Sequence, residues 1–237
     1  MIRVENIEVW GFEHAIRGMR NPLNSWSKSD SHHCNWEISE SCDKCGKLDA
    51  DNTGVCESYK EFYCIGDNDL DLMKRLFKAG TEHRKYLRQI FVSMDITAPL
   101  YLWKQIDQYK IGTVSNSCST MHRIAAKEFT DDDFSMEHLI EDNDHAAAFI
   151  SSMHRTIADL NTARELYLNT KDKKWWWQMI QLLPSSYNQR RTITMNYENV
   201  FSIIKQRTGH KLTEWNELVE ILKTLPYVKE IGGMNEK

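Results

Sequence analysis

The sequence of 237 residues lacks the features that mark several classes of protein. It has only 4 prolines and 10 glycines, which argues against a disordered or linker-rich chain. It has no long apolar run, so we expect no membrane-spanning helix and no membrane partner. It also has no excess of basic residues, because the net charge is −4, and this charge gives no support to binding of duplex nucleic acid.

A secretory signal is also missing from its usual place. Glu5 comes soon after Met1, and the first residues contain no apolar segment of the kind that signal peptides carry. We therefore expect a cytoplasmic protein with reduced cysteines. What the sequence does contain is 41% hydrophobic residues, with 8 tryptophans, 9 tyrosines and 8 phenylalanines. This supply is enough for a sizeable core, and we predict a single domain over residues 1–237.

The spacing of apolar residues predicts a helix-rich α+β chain. Short β-like runs predict strands at 4–10, 91–96 and 192–195. Helical spacing is found at 12–20, 69–80, 85–90, 98–109, 146–168, 174–183, 196–207 and 215–222, and the last of these is the last predicted helix. Thr130 followed by three aspartates is typical of a helix start, because the hydroxyl caps the helix and the acids face the positive end of its dipole.

Residues 27–66 differ from the rest, and we interpret them as an insertion. They are polar, and the stretch holds five of the six cysteines. Cys42 and Cys45 form a C-x-x-C turn, and together with Cys56 and Cys64 they supply the four thiolates that a structural zinc site requires. Reduced thiols in a surface insertion, disulfides and a redox-active C-x-x-C are the alternatives that the sequence leaves open.

The stretch Asp95–Met121 is predicted to contain the ligand site. Its last part, from Ile111 onward, is predicted to be a loop crowded with small polar residues. Hydroxyls, an amide and free backbone N–H groups in one loop suit a phosphate or the edge of a sugar. The alternative is a capped connection between two helices. Cys118 in this loop is either a nucleophile or a small buried residue.

Arg207 stands at the end of the helix that we expect Asn196 to cap. A cation in the last turn of a helix is favourable for the helix dipole alone. The functional alternative is an arginine directed at an anionic or carbonyl-bearing ligand.

Three segments together resemble the flavin-dependent thymidylate synthases, which methylate dUMP with FAD, NADPH and a folate methylene donor. The first is Asp95–Gln105, which is similar to the strand and helix that precede the family's signature motif. The second is Leu-Leu-Pro at 182–184 with the run at 192–196, which resembles the family's Leu-Pro and Thr-x-Asn elements. The third is Arg207, which stands where the family has its pyrimidine-binding arginine.

This resemblance covers about residues 70–124 and 178–225 and leaves the insertion outside. It implies a thymidylate synthase-complementing-protein (ThyX-like) fold, helix-rich with a small central antiparallel sheet. It also implies FAD as cofactor, dUMP or a related pyrimidine nucleotide as ligand, and a homotetramer. The sequence is similar to those that bacteriophages carry, which would place the protein in the host cytoplasm.

The resemblance further implies roles for individual residues. Arg207 is the implied catalytic residue, which polarises the pyrimidine ring. The implied substrate-binding residues are Gln105, Cys118, Ser119, Thr120 and Arg207. The implied flavin contacts are His83, Gln108, Lys110, Asn116 and Asn196.

The signature motif departs from the family pattern. The family's Arg-His-Arg triplet is replaced by Gln-Tyr-Lys at 108–110, its glutamate by Asn116, and the serine and arginine of its nucleotide loop by Cys118 and Thr120. Lysine and glutamine cannot copy the bidentate hydrogen bonds that arginine makes to phosphate. We therefore expect weaker binding of FAD and of the dUMP phosphate, at roughly 1.5–3 kcal/mol per lost charged hydrogen bond.

Three hypotheses follow from these observations. The first is a divergent enzyme that methylates a pyrimidine nucleotide with FAD. The second is a catalytically inactive scaffold that binds or sequesters a nucleotide or a partner protein. The third is a structural protein that uses a zinc-stabilised insertion for contacts.

Overall fold

The computed structural model describes residues 2–33, 63–139 and 144–234, and only the backbone of residues 144–146. The strands are β1 Arg3–Trp10, β2 His32–His33, β3 Tyr63–Cys64, β4 Phe91–Pro99, β5 Thr113–Ser117 and β6 Asn188–Asn196. The helices are α1 Phe12–Arg20, α2 Asp67–Lys78, α3 Leu100–Ile106, α4 Thr120–Arg123, α5 Asp144–Thr170, α6 Lys173–Leu182, α7 Tyr197–Arg207, α8 Thr213–Lys223 and α9 Val228–Gly232.

Four of the strands form a small antiparallel sheet in the order β1-β4-β6-β5. The other two form a separate antiparallel ladder, in which His32 lies opposite Cys64 and His33 opposite Tyr63. Helices account for most of the remaining regular structure. The predicted α+β class with a small central antiparallel sheet is therefore confirmed.

The chain divides into two compact units, and each takes its residues from several parts of the sequence. The first consists of the described residues within 1–7, 93–194 and 209–218. The second consists of those within 8–92, 195–208 and 219–237. The single domain expected from the sequence stays a prediction.

The core of the first unit lies on one face of the sheet. Along β4 the burial alternates, with Met94 and Ile96 inside and Asp95 and Thr97 on the opposite face, as the two-residue period of a strand requires. Helix α3 adds Trp103, which is only 1% exposed. A second apolar cluster joins α5 and α6 to the segment between α4 and α5, and its buried members are Ile124, Phe129, Phe134, Ile157, Leu160, Ala163 and Met179.

The second unit packs α1, α2 and α7 around aromatic side chains. Phe12 meets Tyr197 and Tyr227 edge to face, with ring centroids 5.7 and 5.5 Å apart. Phe77 on α2 packs against Phe201 on α7 at 4.6 Å. These rings give the second unit a core of its own.

A buried ion pair joins α1 to α2 in the second unit. The Asp69 side chain is fully buried, and one of its oxygens accepts a hydrogen bond from Arg20 Nε at 2.5 Å. The other oxygen accepts from the hydroxyls of Ser29 and Ser31 at 2.7 and 2.6 Å. In return the Asp30 carboxylate accepts hydrogen bonds from the backbone N–H groups of Asn68 and Asp69. These groups lie in the first turn of α2, where a backbone N–H has no acceptor within the helix. The segment 29–31 and the start of α2 therefore hold each other in place.

Most predicted helices and strands are confirmed, and Asn196 caps α7 by accepting a hydrogen bond from Asn199 N at 3.0 Å. The polar loop predicted from Ile111 onward was wrong in part, because β5 and α4 lie within it. Strand β5 is at an edge of the sheet, and four of its five residues are exposed. An edge strand with no buried face shows no apolar alternation, so the sequence pattern that identifies strands was missing.

Other predicted elements differ from the structure in type or in bounds. The helix predicted at 85–90 is a short 3-10 helix, Lys85–Gln89. The helix start predicted at Thr130 is confirmed, since Thr130 is the N-cap of a helix and forms a capping box with Asp133, but this helix is the short 3-10 helix Asp131–Asp133. Pro99 ends β4 instead of lying in the first turn of α3, and α3 itself ends at Ile106. Helix α9 follows the helix that was predicted to be the last. In the described part of the chain, none of the helices has the length and apolarity needed to cross a membrane.

Candidate functional site

The face of the sheet opposite the core of the first unit is polar. Asp95 lies at its centre and accepts hydrogen bonds from side chains on both neighbouring strands. Asn6 Nδ2 of β1 donates at 2.9 Å, and Thr192 Oγ1 and Arg190 Nη2 of β6 donate at 2.5 and 2.8 Å. These bonds, from Thr192 first and then from Arg190 and Asn6, hold the pKa of Asp95 well below its usual range. Asp95 is therefore an anion at neutral pH that fixes the position of Arg190.

A pocket of about 310 Å³ opens beside this polar face, entirely within the first unit. Its walls come from the starts of β1 and β6, from β4, and from the chain that runs from the end of β5 past α4. The lining residues are Arg3, Thr97, Cys118, Ser119, Thr120, Arg123, Ile124, Lys127, Asp132, Asp133, Tyr187, Asn188, Gln189 and Arg190.

The segment 118–120 is held at the pocket by hydrogen bonds to β6. Cys118 N donates to the carbonyl of Arg190 at 2.9 Å, and the Cys118 carbonyl accepts from Gln189 Nε2 at 2.8 Å. Ser119 Oγ accepts from His122 N at 3.1 Å and so caps α4. The Cys118 thiol is exposed, so of the two predictions for this residue the small buried one was wrong.

Four cationic side chains and two carboxylates line the pocket. Lys127 forms an ion pair with Asp133, and Arg3 lies 3.4 Å from the carboxylate of Glu5. Arg190 is paired with Asp95, as described above. Among the residues that the structure describes, the guanidinium of Arg123 has no carboxylate or hydrogen-bond partner. The pocket therefore offers one unpaired positive charge to a ligand.

Two further groups in the lining have properties that suit a polar ligand. The hydroxyl of Thr97 is buried and has no hydrogen-bond partner within the described residues. Burial raises the pKa of Tyr187, and the nearby Asp133 carboxylate and Cys118 add to the rise. Tyr187 is therefore neutral at physiological pH and can donate a hydrogen bond through its hydroxyl.

The structure brings together only part of the predicted site. Cys118, Ser119 and Thr120 lie together in the lining of the pocket, and their role in substrate binding stays a prediction. Gln105 is outside the lining, and its Oε1 accepts a hydrogen bond from the buried Trp215 Nε1 at 2.8 Å. This bond gives Gln105 a role in joining α3 to α8.

Sequence reasoning missed the cations of the pocket. Arg3 and Arg190 lie far from the predicted loop in the sequence, and only the sheet brings them to it. Arg123 and Lys127 follow the loop directly and are four residues apart. Two basic residues at this spacing, just after a run of hydroxyl-bearing residues, were the feature of the sequence that could have indicated cations in the pocket.

The residues expected to contact a flavin are divided between the two units. Gln108 lies just beyond the end of α3, and its Nε2 donates to the carbonyl of Lys104 on that helix at 3.2 Å. Lys110 and Asn116 are exposed. In the first unit these positions offer one cation, Lys110, whereas the pyrophosphate of FAD carries two negative charges. The remaining expected contacts belong to the second unit, where His83 is exposed and the Asn196 side chain caps α7. Arg207 is the last residue of α7 in that unit.

The predicted zinc site lies mostly outside the described residues. Cys42, Cys45 and Cys56 are not among them, and Cys64 lies on β3 opposite His32. In the parts of the chain that are described, no three side chains of histidine, cysteine, aspartate or glutamate are grouped as a metal site requires. The zinc site therefore stays a prediction.

The fold is similar to that of solved thymidylate-forming enzymes. Flavin-dependent thymidylate synthase ThyX from Helicobacter pylori, complexed with FAD and dUMP, matches with a TM-score of 0.58 and 15% identity over 96% of each chain. A second structure of that protein with FAD and dUMP gives 0.58 and 16%, over 97% of this chain and 96% of that one. The UMP/dUMP methylase PolB from Streptomyces cacaoi, bound with 5-Br dUMP, gives 0.58 and 13%, over 99% and 95%.

These similarities confirm the ThyX-like fold that the sequence resemblance implied. No protein-family model matches the chain, and no curated protein matches its sequence. Because identities of 13–16% establish only the fold, the ligand has to be argued from the residues of the pocket.

Proposed function

We propose that this chain binds a pyrimidine nucleoside monophosphate of the dUMP class in the pocket of the first unit. The observation that carries the proposal is the unpaired guanidinium of Arg123 in a pocket that also holds the hydroxyls of Ser119 and Thr120. A guanidinium and hydroxyls are the groups that bind a phosphate. The volume of about 310 Å³ lies at the small end of ligand pockets, which favours a pyrimidine over a purine nucleotide.

The base end of such a ligand has a suitable partner in Asn188. Its Oδ1 accepts a hydrogen bond from Ser135 Oγ at 2.9 Å, so the N–H groups of the amide are directed elsewhere. A pyrimidine ring presents carbonyl oxygens that accept from such donors. The ring of Tyr187 supplies an apolar surface in the same lining.

The proposal gives the protein the role of a binding scaffold without flavin-dependent turnover. It is supported by the low charge of Gln108, Lys110 and Asn116, of which only Lys110 is a cation that could pair with the pyrophosphate of a flavin dinucleotide. The alternative is methylation of the nucleotide with FAD, in which Arg207 would polarise the ring. That alternative is favoured by the FAD and dUMP complexes of the ThyX structures with the same fold.

Titration calorimetry and thermal unfolding with dUMP test the proposed function. We expect dUMP to bind and, at a concentration of 100 times its Kd, to raise the free energy of unfolding by about 2.7 kcal/mol. Deoxyuridine should bind far more weakly, because it lacks the phosphate. Absence of any response to dUMP or UMP at millimolar concentration would reject the proposal.

The absorbance spectrum separates the two roles. A scaffold should be purified colourless and should acquire no flavin band after incubation with FAD and gel filtration. A yellow protein, or one that retains FAD in proportion to its concentration, would instead support the enzyme.

We also infer that the chain assembles into a homotetramer, as the resemblance implies. The side chains of Ile111 and Val114 are 89% and 66% exposed at and beside the edge strand β5. Exposed apolar groups on a sheet edge favour contacts between chains. Light scattering coupled to gel filtration should give about four times the chain mass of 27.9 kDa, and the mass of a single chain would refute the inference.

A further inference from the structure

The start of α6 presents an exposed tryptophan beside a group of lysines. After Asp172, which caps the helix, α6 begins with the sequence Lys-Lys-Trp-Trp-Trp. Trp176 is anchored, because its Nε1 donates to the carbonyl of Met121 at 3.0 Å and its ring packs on the second apolar cluster. The ring of Trp177 remains 43% exposed, and its Nε1 has no hydrogen-bond partner in the described part of the chain. An exposed indole gains free energy when a flat ligand covers it.

The lysines beside Trp177 carry more charge than their surroundings neutralise. The ammonium of Lys173 lies 5.9 Å from the centre of the Trp177 ring. Lys174 is paired with Asp172 at 3.0 Å, whereas Lys171 and Lys173 have no carboxylate partner among the residues that the structure describes. The chain as a whole has a net charge of −4, but at physiological salt charges act over only about 8 Å. A ligand at this place therefore meets a positive surface.

The neighbours of Trp177 on its own helix favour a nucleic acid strand over a membrane. Lys173 and Lys174 lie one turn before it, and the exposed Gln181 lies one turn after it. Insertion into lipid would take water from the Gln181 amide without replacing its hydrogen bonds, which costs free energy. A single strand instead offers a base for the indole, base edges for the amide and phosphates for the lysines. A duplex offers mainly phosphates, because its bases are already stacked on one another.

We propose that single-stranded nucleic acid binds at this α6 patch, which consists of Lys171, Lys173, Lys174 and Trp177. The indole of Trp177 stacks on one base, and the unpaired Lys171 and Lys173 contact the neighbouring phosphates. This binding activity is additional to the proposed nucleotide pocket and rests on the residues of α6 alone. It should have little sequence preference, because every base has a π face. Two phosphate contacts predict a slope of about −1.4 in a plot of log K against log salt concentration.

The direct test is fluorescence anisotropy of a labelled oligothymidylate of about 15 nucleotides, titrated with the full chain. We expect it to bind with the shallow salt dependence given above. The same strand annealed to its complement should bind about tenfold more weakly, because its bases are not free to stack. Binding of oligouridylate in place of oligothymidylate would equally support the proposal and would identify the strand as RNA. Equal affinity for single strand and duplex would overturn it, since that result means attraction to phosphate without stacking.

Two substitutions separate the stacking from the charge. Trp177→Ala should raise the Kd for the oligonucleotide about 5- to 100-fold, as expected for the loss of one base stacked on an aromatic ring. Trp177→Phe should recover part of this loss. Lys173→Gln should make the salt slope shallower by about 0.7, the value of one phosphate contact. A folded Trp177→Ala protein with unchanged affinity would show that the patch is not the binding site.

The matched controls are Trp10→Ala and Lys211→Gln. Trp10 is 45% exposed, close to the value for Trp177, but it belongs to the second unit, where its ring stacks on Phe91. Lys211 is exposed in the first unit and lies outside α6, so its replacement changes the net charge as much as Lys173→Gln does. We expect both controls to change the Kd by less than about twofold. Equal effects of the two lysine substitutions would mean that net charge alone attracts the strand, and they would overturn the proposal.

Two further measurements separate the α6 patch from the nucleotide pocket and from a lipid site. Saturating dUMP should leave the affinity for the oligonucleotide unchanged, and Trp177→Ala should leave the affinity for dUMP unchanged. Displacement of the strand by dUMP would place the strand in the pocket and overturn the proposal. Sedimentation with vesicles of phosphatidylcholine and phosphatidylserine should leave the protein in the supernatant. If Trp177 is required for vesicle binding and no oligonucleotide binds, the patch is a membrane site and the proposal is wrong. If dUMP fails to bind while the oligonucleotide binds, only the proposed function is rejected.

Discussion

Replacement of Asp69 by alanine is expected to lower the free energy of unfolding by about 3–5 kcal/mol, the range found when one partner of a buried ion pair is removed. The carboxylate of Asp69 is fully buried and accepts from Arg20, Ser29 and Ser31. Its loss leaves the Arg20 guanidinium, which is only 4% exposed, without its counter-charge. Urea unfolding followed by tryptophan fluorescence measures the change.

The same carboxylate makes stability depend on pH. Burial of Asp69 would raise its pKa, but the hydrogen bonds from Ser31, Ser29 and Arg20 outweigh burial and lower the pKa of the folded state. The folded protein then binds fewer protons here than the unfolded chain does. Its contribution is therefore complete above the ordinary aspartate pKa of about 3.9 and is lost as the pH falls through the lower, folded-state value. Asp69→Asn should lack this component.

The matched control is Asp71→Ala on the same helix. Asp71 pairs with Arg75 at 2.9 Å, but both side chains are about two-thirds exposed. An exposed pair of this spacing contributes about 0.3–0.5 kcal/mol. A loss below 1 kcal/mol for Asp69→Ala, or equal losses at both positions, would mean that the buried pair does not hold α1 and α2 together.

Replacement of Trp103 by alanine should destabilise the first unit by about 3–5 kcal/mol, as is typical of large-to-small changes in a core. The side chain is 1% exposed, its Nε1 donates to the carbonyl of Gln189 at 2.9 Å, and the Arg191 guanidinium lies 4.3 Å above its ring. Because Gln189 in turn holds the carbonyl of Cys118, the pocket should also lose its shape. Unfolding and dUMP titration should therefore both report the change.

Trp177→Ala serves as the control, since that tryptophan is 43% exposed on α6. We expect it to cost less than about 1 kcal/mol, in the range of substitutions away from the core. Trp103→Phe adds a second comparison, because it keeps most of the ring volume and removes only the N–H group. Retention of normal dUMP affinity in a folded Trp103→Ala protein would show that the indole does not position Gln189.

The elements that could be predicted from the sequence are those with one buried face. The apolar residues of α7 recur at helical spacing, Asn196 precedes them, and both the helix and its cap are confirmed. Strand β5 was missed because it is an edge strand with exposed side chains. A helix or strand could therefore be predicted from the local sequence only where one face of it is buried, because burial is what gives the apolar residues a regular spacing.

The pocket that the structure describes could be foreseen from the sequence only in part, for a related reason. Cys118, Ser119 and Thr120 are consecutive, so their composition is visible as a run. The contacts that complete the pocket join residues far apart in the sequence, such as Asp95 with Arg190 and with Asn6. Such pairs depend on the order β1-β4-β6-β5, which hydrophobic spacing does not specify.

The two-stranded ladder of β2 and β3 has a consequence for how this protein can change over evolutionary time. Since His33 and Tyr63 are paired neighbours, the residues that flank the segment 34–62 lie side by side. Residues between them can be exchanged, lengthened or shortened with little effect on the path of the rest, because the entropy of closing a loop grows only slowly with its length. The ladder thus keeps the two ends of this segment together whatever its length or sequence, so the described part of the second unit can tolerate variation there.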